Sequence, residues 1–264
     1  MSDPSIDPNR LIAMAKLLLA EVLEEGLDHV EPHKADESDT VPIEAPASKS
    51  AQRAAEALQA PTSTPEPVVS TPGSETESSP SLSAVRESLG DCKRCALCEG
   101  RKKIVFGDGN PDADLMFIGE GPGANEDEQG LPFVGRAGDL LTQMIEKGMG
   151  LSRDEVYICN IVKCRPPGNR NPLPQEVAAC RPFLDGQIDA VRPKVIVSLG
   201  KPATGLLLDR EVAITRIRGT WHDYRGIALM PTLHPAYVLR QYTQENRQAV
   251  WQDLQETLKR LGES

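Results

Sequence analysis

Apolar residues recur along this chain in two rhythms, and the alternation between them organises its second part. After residue 81 four short runs stay apolar almost throughout: DLMFIG (114–119), VYICNIV (156–162), KVIVSLG (194–200) and GIALMPTL (226–233). Runs of that length predict buried strands. Between them the spacing becomes helical. RAGDLLTQMIEKGMG (136–150) sets Leu140, Leu141, Met144 and Ile145 on one face and finishes on glycine. Helices are also expected over 172–191, 201–208 and 244–261. Strand and helix in alternation predict a parallel sheet with helices on both faces. No internal repeat is visible.

The first part of the chain has a different texture. Over 9–26, Leu11, Ile12, Ala15, Leu18, Leu19, Val22 and Leu23 form an apolar stripe that Gly26 can end, which predicts a short docking helix. Lys16 and Glu21 interrupt it, and it is too short to span a bilayer. The basic polar face of a membrane-surface helix is missing as well. In PTSTPEPVVSTPGSETESSP (61–80), 14 of 20 residues are Pro, Ser or Thr, a composition with too little apolar surface to offset the entropy of ordering. The expected organisation is a helical segment over 1–30, a disordered Pro/Ser/Thr/Glu-rich linker over 31–81 and a folded domain over 82–264.

Charge follows the same division. The net charge is -10. Residues 1–90 carry 16 Asp and Glu against 6 Lys and Arg, whereas the remainder is balanced at 23 against 23. The acidity therefore belongs to the N-terminal third and does not argue against nucleic acid as a partner of the folded part. The start, MSDPSID, is acidic where a secretory signal is basic, so a cytoplasmic protein without membrane attachment is expected. Six cysteines in that compartment read as metal ligands or catalytic thiols before disulfides.

In parallel α/β folds ligands bind where strands end, and here three polar, Gly/Pro-rich segments follow predicted strands. GEGPGANEDEQGLPFVGRAG (119–138) brings Gly119, Gly121 and Gly123 for close backbone approach, and Glu120 directly after a buried strand. Asp127 and Glu128 suit a solvated acidic turn. No Gly-Lys-Ser/Thr follows, so this is not a phosphate loop. Phe133 sits in a loop beside carboxylates, where it either packs in the core or stacks on a planar ring. NIVKCRPPGNRNP (160–172) presents Lys163, Arg165 and Arg170 on a Pro-stiffened loop suited to phosphates. LHPAYVLR (233–240) places His234 at a strand end.

The cysteines form two pairs. Cys92 and Cys95 make C-x2-C in DCKRCALCEG, and Cys164 and Cys180 lie far downstream. Four thiolates suit zinc or an iron–sulfur cluster, and spacing alone leaves both open. The cluster is the better expectation, because its bulk accepts ligands from distant elements. Cys159 lies inside a strand and reads as core packing.

The block GEGPGANEDEQGLPFVGRAG, then NIVKCRPPGNRNP with a cysteine 16 positions after Cys164, then HPAYVLR, strongly resembles the family-4 uracil-DNA glycosylases over about 82–262. The resemblance implies a three-layer α/β/α sandwich on a four-stranded parallel sheet, with a [4Fe-4S] cluster on Cys92, Cys95, Cys164 and Cys180. It leaves Cys98 outside the ligand set. It implies a monofunctional hydrolase of base excision repair, a monomer of bacterial or archaeal type. By the same resemblance Phe133 stacks on a flipped uracil, Gly121 lines its site and Asn160 reads its O4 and N3–H. Glu126 lies at the C5 edge, His234 bonds O2, and Glu120, ahead of Glu126, handles water. Lys163, Arg165 and Arg170 grip phosphates and Arg240 wedges into the gap left by the base. The N-terminal segment is a candidate for recruiting a repair or replication protein.

Two departures stand out: Cys159 where the family commonly has Thr, and the long acidic N-terminus. ANEDEQGLPFVG also lacks the basic insertion of a relative that bonds covalently to the abasic site. The rival expectations are a DNA-binding module with a structural cluster and little activity, and a redox protein.

Overall fold

A computed structural model describes residues 81–263. The expectations for 1–80, the docking helix and nearly all of the linker, lie outside the described residues. Ser81 opens the structure by capping helix α1 (Leu82–Leu89), its side chain accepting from the Ala84 N–H. A short helix, α2 (Leu97–Gly100), follows the first cysteine pair.

The sheet has six strands: β1 (Asp108–Gly109), β2 (Leu115–Gly119), β3 (Tyr157–Asn160), β4 (Val195–Leu199), β5 (His222–Tyr224) and β6 (Ile227–Thr232). Their order is β1-β3-β2-β4-β6-β5. The four strands expected from the apolar runs are the central ones, and they are mutually parallel. The expected four-stranded sheet is enlarged by the edge strands β1 and β5, both antiparallel. Two or three residues are too few to show a period, which is why the apolar pattern does not mark them.

Alternation along the strands creates two cores. Met116 and Ile118 face one side with Ile196 and Leu229, against α1, α5 (Pro174–Val191) and α6 (Gly200–Leu207). Leu115 and Phe117 face the other with Val197 and Met230. That second side is covered by helix α4 (Arg136–Gln143), its wider continuation Met144–Met149, and the C-terminal helix α9 (Gln244–Gly262). The helix expected over 136–150 thus changes pitch at Met144, where i→i+5 bonding takes over. The result is the expected three-layer α/β/α sandwich. Each fully buried Phe, Leu or Ile in these layers contributes about 1.5–3 kcal/mol through the hydrophobic effect. Among the described residues, no helix is long and apolar enough to cross a membrane.

One polar contact anchors the rim described below. Asp253 of α9, buried, accepts from Thr232 Oγ1 at 2.6 Å and from Arg218. It fixes the end of β6 just before His234. Arg218 follows the short helix α7 (Ile214–Ile217).

Candidate active site

Parallel register brings the strand ends into line. Gly119 pairs with Asn160, and Leu199 with Thr232, so Glu120, Asn160, Gly200 and His234 emerge along one rim. A cavity of about 310 Å³ opens there, lined by Glu120, Gly121, Glu126, Phe133, Asn160, Arg170, His234 and Arg240. With Gly123, which lines it as well, nine of the residues singled out in the sequence therefore meet in one space. Asn169 and Asn171 also line it and were not anticipated. Both lie in GNRNP, a segment read only for its cations.

Phe133 reaches the cavity on a backbone that L-residues avoid, with φ 52°. Such strain costs about 1–3 kcal/mol and persists only where neighbours enforce it. The enforcement is visible on both sides. The Val134 N–H donates to Glu126 Oε1 at 3.0 Å, and Arg153 donates to the Pro132 carbonyl at 2.7 Å. Glu126 Oε2 accepts from the Gly123 N–H at 3.0 Å, capping helix α3 (Ala124–Gln129). Glu126 lines the cavity, and its oxygens accept backbone N–H groups of Gly123, Val134 and Gly135, so it braces the loop that carries Phe133. The expectation for Asp127 is corrected. It is buried, accepting from the Lys102 N–H at 2.8 Å, and is not part of a solvated turn; Glu128 is exposed and pairs with Lys102.

His234 is the N-cap of α8 (Pro235–Arg240), with Pro235 in the first turn. Its Nδ1 accepts from the Ala236 N–H at 3.1 Å. A neutral ring that accepts at Nδ1 carries its proton on Nε2. Burial, with help from the Arg240 cation, pushes the imidazole down to about 4, so the neutral form persists through physiological pH. The ring lies 5.7 Å from that of Phe133, tilted by 32°. Gly200 makes room for it: its φ is +85°, and a methyl there would come 2.9 Å from His234 Cβ. Glu120 is half-buried at the mouth of the same space. Burial raises its carboxyl above the ordinary value and Arg240 opposes the rise.

Asn160 is 1 % exposed, and its Oδ1 has no hydrogen-bond partner. A buried, unpaired acceptor costs about 1–3 kcal/mol. In a cavity wall it marks the place of a missing donor.

The expected phosphate grip divides. Arg240 and Arg170 are exposed at the cavity, Arg170 doubly bonded to buried Glu176 at 2.7 and 2.9 Å. Arg165 is partly exposed, bonded to Asn169, and outside the cavity. Lys163 is corrected: it is 0 % exposed and cannot touch a phosphate. Its ammonium donates to the Asn160 carbonyl at 2.8 Å and to Gln187 Oε1.

The four cysteines lie within electrostatic reach of one another. Cys95 feels Cys92, Cys164 feels Cys180 and Cys95, and Cys180 feels Cys95 and Cys92. Cys98 also bears on Cys95. Among the described residues no group of three or more His, Cys, Asp or Glu could hold one metal ion. The fit is therefore judged from the donors around the sulfurs. Arg94 donates to Cys92 Sγ at 3.5 Å, Arg101 to Cys164 Sγ at 3.4 Å and the Lys163 N–H to Cys180 Sγ at 3.3 Å. Burial pushes the Cys164 thiol up to about 11. Donors aimed at sulfur suit thiolates held by a cationic group, which removes the thiol proton outright.

Residues 106–255 match the model of the Uracil DNA glycosylase superfamily. The chain belongs to that superfamily. Several of the proteins it resembles are Type-4 uracil-DNA glycosylases. A Type-4 uracil-DNA glycosylase of Thermotoga maritima is 46% identical over 176 residues, which cover 66% of this chain and 91% of that protein. One from Sulfurisphaera tokodaii is 47% identical, covering 60% and 76%. One from Archaeoglobus fulgidus is 38% identical, covering 69% and 92%. The match thus covers about nine-tenths of the Thermotoga and Archaeoglobus proteins and about three-quarters of the Sulfurisphaera one, and the superfamily match lies wholly within the described residues.

Proposed function

We propose that this chain is a monofunctional uracil-DNA glycosylase, which takes a flipped uracil into the cavity and hydrolyses its N-glycosidic bond to leave an abasic site. The observation that carries the reading is the orphaned Asn160 Oδ1 in a cavity shared with Phe133 and His234. Uracil N3–H supplies the missing donor, and the amide N–H of Asn160 serves O4. Cytosine offers the reverse pattern, and leaving buried polar groups unpaired is a strong means of rejection. The flipped base costs a few kcal/mol of unstacking, offset by stacking on Phe133.

Cleavage leaves negative charge on uracil and positive charge on the sugar. The neutral His234 donates from Nε2 to O2 as that charge grows. Glu120, ionised above its raised pKa, stabilises the sugar and positions water. Arg240 fills the gap in the duplex, and Arg165 and Arg170 meet phosphates, so affinity falls with salt. The glycosylase domain runs over 82–264, and recruitment of a repair or replication protein belongs to the preceding segment.

The test is uracil release from DNA by the wild type and by His234→Ala and Glu120→Ala. Loss of one donor to the developing anion predicts about a 10²–10³-fold lower rate for His234→Ala. A wild type that frees no uracil from single- or double-stranded DNA overturns the reading.

The pH profile gives a second check. His234 stays neutral down to about pH 4, so the acid limb of kcat/KM belongs to Glu120. Activity falls as pH drops through the raised Glu120 pKa. Arg240 holds that pKa down, so Arg240→Gln moves the limb to higher pH. A limb that stays put removes Glu120 from this role.

The cysteine arrangement supports a [4Fe-4S] cluster on Cys92, Cys95, Cys164 and Cys180. When bound, it cross-links the segment after β3 to α5 and to the Cys92–Cys95 turn. Cys95→Ser is expected to lose most of the iron and the brown colour, and Cys98→Ser to keep both, by metal analysis of anaerobically prepared protein. Equal iron in both variants would remove Cys95 from the ligand set.

A further inference from the structure

Lys163 is the only buried lysine or arginine among the described residues, and the chemistry above makes no use of it. No carboxylate pairs with it. Its ammonium donates to two neutral oxygens, the Asn160 carbonyl at 2.8 Å and Gln187 Oε1. Gln187 is locked in orientation, because its Nε2 donates to the Phe106 carbonyl at 2.9 Å and to Tyr157 OH at 3.0 Å. A buried ion held only by neutral dipoles is poorly compensated, and such ions are normally found near an opposite charge.

The groups that feel this ammonium are sulfurs. Cys159 and Cys180 both lie in its field. The backbone of Lys163 enters the same site: its N–H donates to Cys180 Sγ at 3.3 Å, its carbonyl accepts from the Val105 N–H at 2.8 Å, and Cys164 is the next residue. Four thiolates around a [4Fe-4S] core carry net negative charge, which is the partner this cation lacks.

We infer that Lys163 is a positioning residue that couples the four-cysteine centre to base recognition. Its ammonium balances the charge of the centre and, through the Asn160 carbonyl, sets the amide that reads uracil. The inference rests on the cluster and glycosylase readings above. It makes Asn160 sensitive to the state of a centre that never touches the base.

The test uses full-length protein prepared anaerobically, with iron content, cluster midpoint potential and free-uracil affinity measured on each variant. Lys163→Met removes both links. Its potential is expected to move negative, because losing a nearby positive charge disfavours reduction, and uracil affinity to fall about tenfold as one charge-assisted bond to Asn160 is lost. Gln187→Glu separates the links: it sets a carboxylate against the ammonium but leaves the bond to Asn160. Its potential also moves negative, while uracil affinity stays within about twofold of wild type.

Unchanged potentials in both variants at wild-type iron content overturn the charge link. Unchanged uracil affinity in Lys163→Met overturns the clamp. Should Lys163→Met not fold, Gln187→Met, which removes the second anchor of the ammonium, replaces it in the uracil measurement, with weaker binding expected and unchanged binding again overturning the clamp. Failure of the underlying readings is seen in the wild type alone, as absence of iron or of uracil binding.

Discussion

Replacing Asn160 by Leu is expected to lower kcat/KM for uracil release by about a thousandfold while making the protein more stable. The two effects have one cause. Asn160 is 1 % exposed and its Oδ1 is unpaired without a substrate. Removing a buried, unpaired acceptor relieves about 1–2 kcal/mol of the folded state's cost. With uracil bound, the same change strands the O4 and N3–H groups in a dry wall. Sites built around such bonds reject partners lacking them by about 10⁴–10⁵-fold, so a thousandfold loss is a moderate expectation. Single-turnover kinetics and thermal denaturation read the two sides independently. A Leu variant within tenfold of wild-type activity would move recognition to another residue. The trade follows from strain kept at a functional site and supported elsewhere.

How far the sequence foretold this site depends on where the information lies. The rim was legible because each of its segments begins at the end of a continuous apolar run, and parallel register then aligns Gly119 with Asn160. His234 was legible as a strand-end residue; the cap that sets its tautomer also has a local signal, a proline immediately after it. The capping and bracing contacts of Glu126 were not foreseen although their signal was local. Gly123 followed three positions later by Glu marks a helix start, and α3 begins there. Asp127 and Lys163 were misread because their partners are distant. Asp127 is buried by the Lys102 N–H from 25 positions upstream, and Lys163 by Gln187 from 24 downstream. A lysine two places from an arginine reads as a solvated pair until the fold supplies those acceptors. The strain at Phe133 was hidden for the same reason, since Arg153 and Glu126 enforce it from outside its loop.

Gly119→Ala is the second large expectation, and it tests whether stacking and edge recognition are a single unit. A methyl on Gly119 would overlap Asn160 Oδ1 and fall 2.5 Å from Phe133 Cζ. Neither neighbour can yield without loss. The Asn160 backbone is held by its register with Gly119 and by Lys163, and Phe133 stands on a strained backbone braced by Glu126 and Arg153. The added atom is smaller than any substrate group, yet it lies between the two side chains proposed to position the base. A displacement of about 1 Å in a positioning group costs on the order of a hundredfold in rate. We therefore expect kcat/KM to fall about a hundredfold with uracil affinity reduced in parallel, because both recognition groups move together. Gly148→Ala is the matched control, since its methyl meets only Leu254 Cδ1 at 3.7 Å, an ordinary contact. If Gly119→Ala keeps full activity, the stacking ring and the amide are free to adjust independently. The rim would then be a flexible pocket rather than a preformed one, and the orphaned Oδ1 would lose its significance as a vacancy shaped for one donor.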